Sequence, residues 1–522
     1  MTLAVTAGGI DTGARGERLM ELQRHTLEGY QLVFDGLFQQ EETLESIVPD
    51  AFPDIARIVS VTGRVSLREH TAGEGTLHLS ATAHMAILYI PEGESSVRAL
   101  EVSIPVQCAK DRPHLGKDCM VHCCASIASA DTRAVNPRKL LTRVEVVFSA
   151  CVYRRVPQEV TAGVECSDKD PHVELRTEHW PEHRMAEVME KPFSFSDVLR
   201  LPASKPEPDA LLYHRVEAGT LDAKIIGKKL VCKGEVSLVA MCQSDGALWP
   251  AKFELPFSQI FDASCSEEGS QAEVRISLDH TECRLEGGEL EVSIEAQVQA
   301  VIWAQTTQTI LADLYATSCV LEVERTPVQL CIQTHWDARR ESGRTLCQSA
   351  VPIKQVLDCT TTVCSCTREE TEGGVLYTAQ TRMEALCLSE EDALYHLSCQ
   401  LSVPCRTAIP GTHPGHCQCR PMGETTGVPV TGGVELRTEV EFSWVHTQMD
   451  QVPCVTSVRP REGAGGGGPR PSVILRMAAP GETLWDIAKS CASTIQDIQQ
   501  TNQLSEEQPK PGTLLLIPTK RG

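Results

Sequence analysis

One alternating stretch constrains this chain more than anything else in it. Leu77, Leu79, Ala81, Ala83, Met85, Ile87 and Tyr89 alternate with His78, Ser80, Thr82, His84 and Ala86. A period of two puts one apolar edge on one face, as in a half-buried β-strand. The pattern returns at Leu230, Cys232, Gly234, Val236, Leu238, Ala240 and Cys242, and again at Tyr377, Ala379, Thr381, Met383, Ala385 and Cys387. The flanks repeat as well. Ser46-Ile47-Val48-Pro49 precedes the first copy, Val198-Leu199-Arg200-Leu201-Pro202 the second, and Ser349-Ala350-Val351-Pro352 the third. These prolines recur about every 150 residues. Downstream, each copy reaches a short apolar run closed by Pro105, Pro256 or Pro404, then a long alternating strand: 144–152, 290–302 and 434–444. A β-rich unit of about 110–120 residues is too long for a solenoid repeat and large enough to bury its own core. The expectation is a mainly β protein of three tandem domains at 30–155, 185–318 and 340–448, followed by a small α+β module at 472–520. Residues 1–29 are expected to be disordered or helical, with a short helix over Glu17–Gln23. The stretch 156–190 reads as a charged connector, with a strand left open at Val173-Glu174-Leu175.

Charge narrows the partners. In 522 residues, 48 Lys and Arg stand against 70 Asp and Glu, a formal charge of −22. A chain like this repels phosphate backbones and anionic lipid, so neither nucleic-acid binding nor membrane insertion is expected. Five basic and five acidic residues follow Ser472, so the excess negative charge sits on the repeats. No basic, apolar leader opens the sequence, which leads us to expect a protein that stays in the cytosol. The 23 cysteines are then thiols. Cys232, Cys242 and Cys387 fall at inward strand positions, where cysteine packs as a small hydrophobe.

The residues give no sign of catalysis: the chain has no Gly-rich phosphate loop, no Gly-x-Ser-x-Gly and no His-Glu-x-x-His. His179, Glu182 and His183 lie in the charged connector and read as a solvated loop. No enzyme activity and no cofactor are expected. Cys405, His413, His416, Cys417 and Cys419 crowd one Pro/Gly-rich loop, with Cys359, Cys364 and Cys366 earlier on the same repeat. Soft sulfur and nitrogen ligands at short spacing suit zinc, and oxidative cross-linking is a second use for them. The Cys-x-Cys spacing departs from the usual Cys-x-x-Cys knuckle, so reduced thiols without metal are the default expectation.

Residues 459–471 run Arg-Pro-Arg-Glu-Gly-Ala-Gly-Gly-Gly-Gly-Pro-Arg-Pro, a flexible tether by composition. Beyond it, Val473–Met477 reads as a strand and Pro480-Gly481-Glu482-Thr483-Leu484-Trp485-Asp486-Ile487-Ala488 as a turn, an N-cap and an amphipathic helix. A second helix ends at Asn502-Gln503-Leu504, and Pro511-Gly512-Thr513-Leu514-Leu515-Leu516-Ile517-Pro518 closes with a strand. This segment resembles a LysM domain over its whole length. The resemblance implies a βααβ fold and a groove for N-acetylglucosamine-containing glycans. Its walls would be Pro480, Gly481, Glu482, Thr483 and Leu484 on one side and Asn502, Gln503 and Leu504 on the other. Gly481, Thr483, Leu484 and Asn502 are also the turn, cap and core residues that the fold itself demands. Trp485, one residue past core Leu484, is expected to be part exposed as an interface anchor.

The three repeats followed by this module resemble the SPOCS domain family of endospore-forming Firmicutes. That resemblance implies spore-coat assembly in the mother-cell cytosol at the forespore surface, with the LysM module docking on a protein partner, the sporulation ATPase that coats the forespore. Two readings of function follow: a protein–protein adaptor of the coat, or a peptidoglycan-binding protein that carries the repeats to the wall or cortex.

Overall fold

The computed structural model describes residues 20–94, 96–166, 173–265, 267–407, 417–461, 471–506 and 508–519. The architecture is mainly β, with several β units and a small βααβ module at the C-terminal end. The first unit comprises β1 (Met20–Ile47), β2 (Ile55–Gly73), β3 (Thr76–Pro91), β4 (Arg98–Asp111), β5 (Cys119–Asn136) and β6 (Lys139–Cys166). The second repeats the order: β7 (Val173–Arg200), β8 (Ala210–Ile226), β9 (Lys229–Ser244), β10 (Ala247–Asp262), β11 (Gln271–Glu286) and β12 (Glu289–Ala316). The third has β13 (Leu321–Gln348), β14 (Ile353–Thr371), β15 (Gly374–Ser389), β16 (Leu394–Thr407), β17 (Cys417–Val430) and β18 (Gly433–Pro460).

Each unit is a pair of antiparallel sheets. In the first, β2-β3-β4 faces β1-β6-β5, in the second β10-β9-β8 faces β7-β12-β11, and in the third β14-β15-β16 faces β13-β18-β17. The larger sheets of the first two units join into one six-stranded sheet where Tyr30 of β1 pairs with Met185 of β7. The three alternating stretches occupy β3, β9 and β15, the central strand of each smaller sheet. Leu77, Leu79, Met85 and Ile87 are buried in the first unit's own core, as are Leu230, Cys232, Leu238 and Cys242 in the second. Pro105, Pro256 and Pro404 lie on β4, β10 and β16, edge strands of the smaller sheets, where they face Thr82, Glu235 and Thr378 of the central strands. An edge tolerates the missing N–H that a central strand would not.

The long first and last strands of each unit run past the sandwich as two-stranded ribbons. Tyr30 still faces Arg155, and Met20 faces Cys166. The ribbons pack together along a shared line. Leu27 and Val160, Ile310, and Val328, Leu330 and Val452 form one apolar cluster drawn from all three units. Leu22 and Val164, Leu311 and Leu314, and Val323 and Val455 form another farther out. At the opposite end, Val59, Leu212 and Leu357 meet Leu88, Met241 and Leu386. These are corresponding positions on β2, β8 and β14 and on β3, β9 and β15, so the units are disposed about an approximate threefold axis. The body has a head of three sandwiches and a stalk of three ribbons.

This arrangement corrects several sequence expectations. Met20–Gln23 is extended in β1, where residues 1–29 were expected to be disordered or helical. The strand sets run over 20–166, 173–316 and 321–460, beside the expected domains of 30–155, 185–318 and 340–448; the second set begins earlier than expected and ends two residues short of 318. Of the connector 156–190, residues 156–166 are the outer half of β6 and 173–190 the start of β7, while 167–172 lie outside the described residues. His179, Glu182 and His183 are paired strand residues opposite Thr309, Thr306 and Gln305. Glu182 is buried and accepts hydrogen bonds from Thr306, Gln308 and Arg184. Of the tether, Arg459 and Pro460 complete β18, while 462–470 lie outside the described residues.

Candidate functional site

The C-terminal module folds as β19 (Val473–Met477), α1 (Leu484–Cys491), α2 (Ile495–Asn502) and β20 (Leu514–Pro518). Thr483 caps α1 through a reciprocal capping box with Asp486, and Thr494 caps α2. Such caps satisfy the otherwise orphaned first-turn N–H groups. Leu484, Ile487, Ala488, Ile498, Leu515 and Ile517 make the core, with Leu504 packed against it. The two loops of the expected groove are thus anchored on one core.

The groove residues divide by role. Pro480 and Gly481 are exposed, and Gly481 has φ of 79°, which a glycine accommodates freely. Gln503 is exposed in the left-handed conformation that ends α2. The other candidates are committed to the fold. Glu482 takes an ion pair from Arg476 and a hydrogen bond from the Ala479 N–H. Thr483 is the N-cap and Leu484 is fully buried. Asn502 acts as a strand substitute: its amide donates to the Leu516 carbonyl at 2.6 Å and accepts from the Leu516 N–H at 2.8 Å. What remains for a ligand is a small polar rim of Pro480, Gly481 and Gln503 beside half-buried Leu504.

Trp485 departs from expectation. It is 7% exposed because it packs on the stalk. Its ring meets Tyr315 of β12 edge-on at 4.9 Å, and its Nε1 donates to Asp313 Oδ2 at 2.8 Å. Lys489, one helical turn on, reaches both Asp313 oxygens at 2.7 Å, and Arg325 of β13 pairs with the same carboxylate. Tyr315 completes the seat by donating to the Ser493 carbonyl at 2.9 Å. Burial pushes the Asp313 carboxyl up, but hydrogen bonds from Lys489, Trp485 and Arg325 outweigh it and hold the group below its ordinary range. The module sits on the tip of the stalk.

A second feature escaped the sequence reading. Val473, Leu475 and Met477 on β19 and Leu514 and Leu516 on β20 point away from the helices and are solvent-exposed, Leu475 and Met477 at 63%. Leu475 faces Leu516 and Met477 faces Leu514 across the pair. They form one apolar sheet face. The signal was legible: Val-Ile-Leu-Arg-Met and Leu-Leu-Leu-Ile-Pro carry apolar residues on both alternating sets, where a half-buried strand needs only one.

The metal candidates scatter. Cys405 is fully buried in the third unit, and its thiol is pushed up to about 11 by burial. His413 and His416 lie outside the described residues. Cys417 and Cys419 instead meet Cys366. Cys232, Cys242 and Cys387 are buried, and burial pushes their thiols up to about 11, 11 and 12, which leaves them unreactive.

Compared with known proteins, residues 479–518 match the LysM domain family. No curated protein and no solved structure matches the chain. The C-terminal module is therefore a LysM domain, a module type that suggests binding of peptidoglycan- or chitin-type glycans. Among the described residues, no helix is long and apolar enough to cross a membrane.

Proposed function

We propose that this chain is a non-enzymatic assembly adaptor whose LysM domain is a recognition head for another protein. The observation that carries this is the apolar outer face of β19 and β20. Five large aliphatic side chains in water on so small a sheet match a protein surface better than a glycan, whose recognition needs polar groups in a groove. The groove side has few such groups free, since Asn502, Thr483 and Glu482 are held by the fold. A second copy of this chain is a poor occupant for that face. With a formal charge of −22, bringing two bodies together is opposed by their own field.

The finer reading follows from the repeats. Their likeness to SPOCS domains supports a role in endospore-coat assembly, in the mother-cell cytosol at the forespore surface, with the sporulation ATPase as the partner. In that role the threefold body is a spacer and scaffold, and the stalk presents the LysM domain at a fixed place. The LysM match supports a second reading, in which Pro480, Gly481, Gln503 and Leu504 hold an N-acetylglucosamine oligomer of peptidoglycan.

The two readings place the contact on different surfaces. The experiment measures binding of the full chain to the purified sporulation ATPase and to N-acetylglucosamine hexamer in parallel, for wild type and a Leu475→Glu/Leu516→Glu variant. The adaptor reading expects ATPase binding that weakens in the variant by about 2 kcal/mol or more, the loss typical of central interface anchors. Hexamer binding that is insensitive to the variant, without ATPase binding, replaces it with the glycan reading.

A further inference from the structure

The third unit differs from the other two where its sheets meet. Cys366 lies on β14, and Cys417 and Cys419 open β17. Residues two apart on a strand share a face, and here that face is turned toward β14. The two strands are pinned nearby by a hydrogen bond from Thr425 to Thr361 at 2.9 Å. The three sulfur atoms all lie within 4.8 Å of one another, with Cys419 Sγ 2.8 Å from Cys366 Sγ. Each of these cysteines is only partly buried, so the cluster is reachable from solvent. Behind it stand Tyr377, Phe442, Trp444 and Cys405.

The fold does not ask for this trio. Strand register locates the corresponding positions in the other units. Cys366 faces Ala379, as Leu67 faces Ala81 and Thr220 faces Gly234. Cys417 and Cys419 face Trp444 and Phe442, as Cys123 and Ala125 face Ala150 and Phe148, and as Val274 and Ile276 face Ala300 and Val298. The first unit thus packs Leu, Cys and Ala there, and the second Thr, Val and Ile. Ordinary core residues suffice for the sandwich, and only the third unit substitutes three soft donors.

We propose that Cys366, Cys417 and Cys419 bind a thiophilic d10 cation, zinc above all, that staples the two sheets of the third unit. Zinc–sulfur bonds of about 2.3 Å in tetrahedral array put sulfurs about 3.8 Å apart. The Cys366–Cys419 separation of 2.8 Å is shorter than that value and all three sulfurs lie within 4.8 Å of one another, so small side-chain rotations reach the tetrahedral spacing. On binding, each thiol gives its proton to solvent and its sulfur lone pair to the metal, with no change of oxidation state. Three thiolates leave the fourth tetrahedral position for a water or another donor. The aromatic and aliphatic wall behind the cluster limits solvent on one side, as around metal sites generally.

The test uses the full chain, expressed with zinc and purified anaerobically. Metal is counted by elemental analysis. Cobalt(II) is then loaded, and its thiolate charge-transfer absorption reports sulfur ligation. The proposal expects about one ion per chain, the number one such site holds, together with that absorption. Both should fall at least tenfold in Cys366→Ser and in Cys417→Ser/Cys419→Ser, and stay in Cys331→Ser, which lies elsewhere on β13. The wild-type count stands even if a variant fails to fold. Wild-type protein with less than a tenth of an ion per chain overturns the proposal, as does full metal in Cys366→Ser. A Cys366–Cys419 disulfide in the anaerobic protein also overturns it.

Discussion

Asp313 is the residue on which the placement of the LysM domain turns. It gathers the Trp485 indole, the Lys489 ammonium and the Arg325 guanidinium on one mostly buried carboxylate. Asp313→Ala strands these donors, and hydrogen bonds to charged groups are each worth about 1.5–3 kcal/mol. We expect the LysM domain of this variant to leave the stalk, seen as faster proteolysis around it and a separate thermal transition. An unchanged digestion pattern would count against the seat. The pH dependence follows from sign. The folded carboxyl lies below its ordinary value, so the seat's contribution is complete above about 3.9, the unperturbed aspartate pKa, and is lost as pH falls through the folded value. The domain should therefore stay seated at pH 5 and loosen in stronger acid. Trp485 shows why the sequence misled. Its position beside Leu484 was legible, but the surface waiting for it, Tyr315 and Asp313, lies about 170 residues earlier in a stretch of β12 with no local mark of its use.

At the scale of elements, the period-two pattern disclosed the strands that have one wet face and one buried face. The central strands β3, β9 and β15 were legible for that reason, and so were the edge prolines. The outer halves of β6, β7 and β13 were not, apart from Val173-Glu174-Leu175 at the start of β7. Each ribbon buries only a narrow stripe against the other two ribbons, so a run such as Glu178-His179-Trp180-Pro181-Glu182-His183 carries too few apolar residues to show a period. The LysM helices were legible through their caps and turn residues, because those signals are local. The central strands also carry a second buried set, at Leu88, Met241 and Leu386, which serves the threefold contact and no unit's own core. Met241→Ala is expected to cost about 2–5 kcal/mol, the range for deleting a buried aliphatic side chain, although it leaves the second unit's own core intact. Urea unfolding of the full chain measures this, and a loss under about 0.5 kcal/mol, the size of a surface substitution, would refute the shared core.

For the whole molecule, three sandwiches, a ribbon stalk and a seated LysM domain make a body whose LysM end carries the aliphatic outer face of β19 and β20. The charge on the repeats fits a scaffold that avoids self-association and takes a partner at its tip. Repetition itself was legible from the recurring prolines and strands, but the sharing of cores between units was not, since nothing in one copy marks the residues that meet another. Which face of the LysM domain the proposed partner covers decides between the adaptor and the glycan binder. Hydroxyl-radical footprinting of the full chain, alone and with the purified sporulation ATPase, reads that face through side-chain oxidation. The expected result is that Met477, Leu475, Leu514 and Leu516 react in the free chain and are shielded by the ATPase, while Trp485 stays unreactive in both. Reactive Trp485 in the free chain, or a Met477 that the ATPase leaves uncovered while N-acetylglucosamine hexamer shields Pro480 and Leu504, would contradict it.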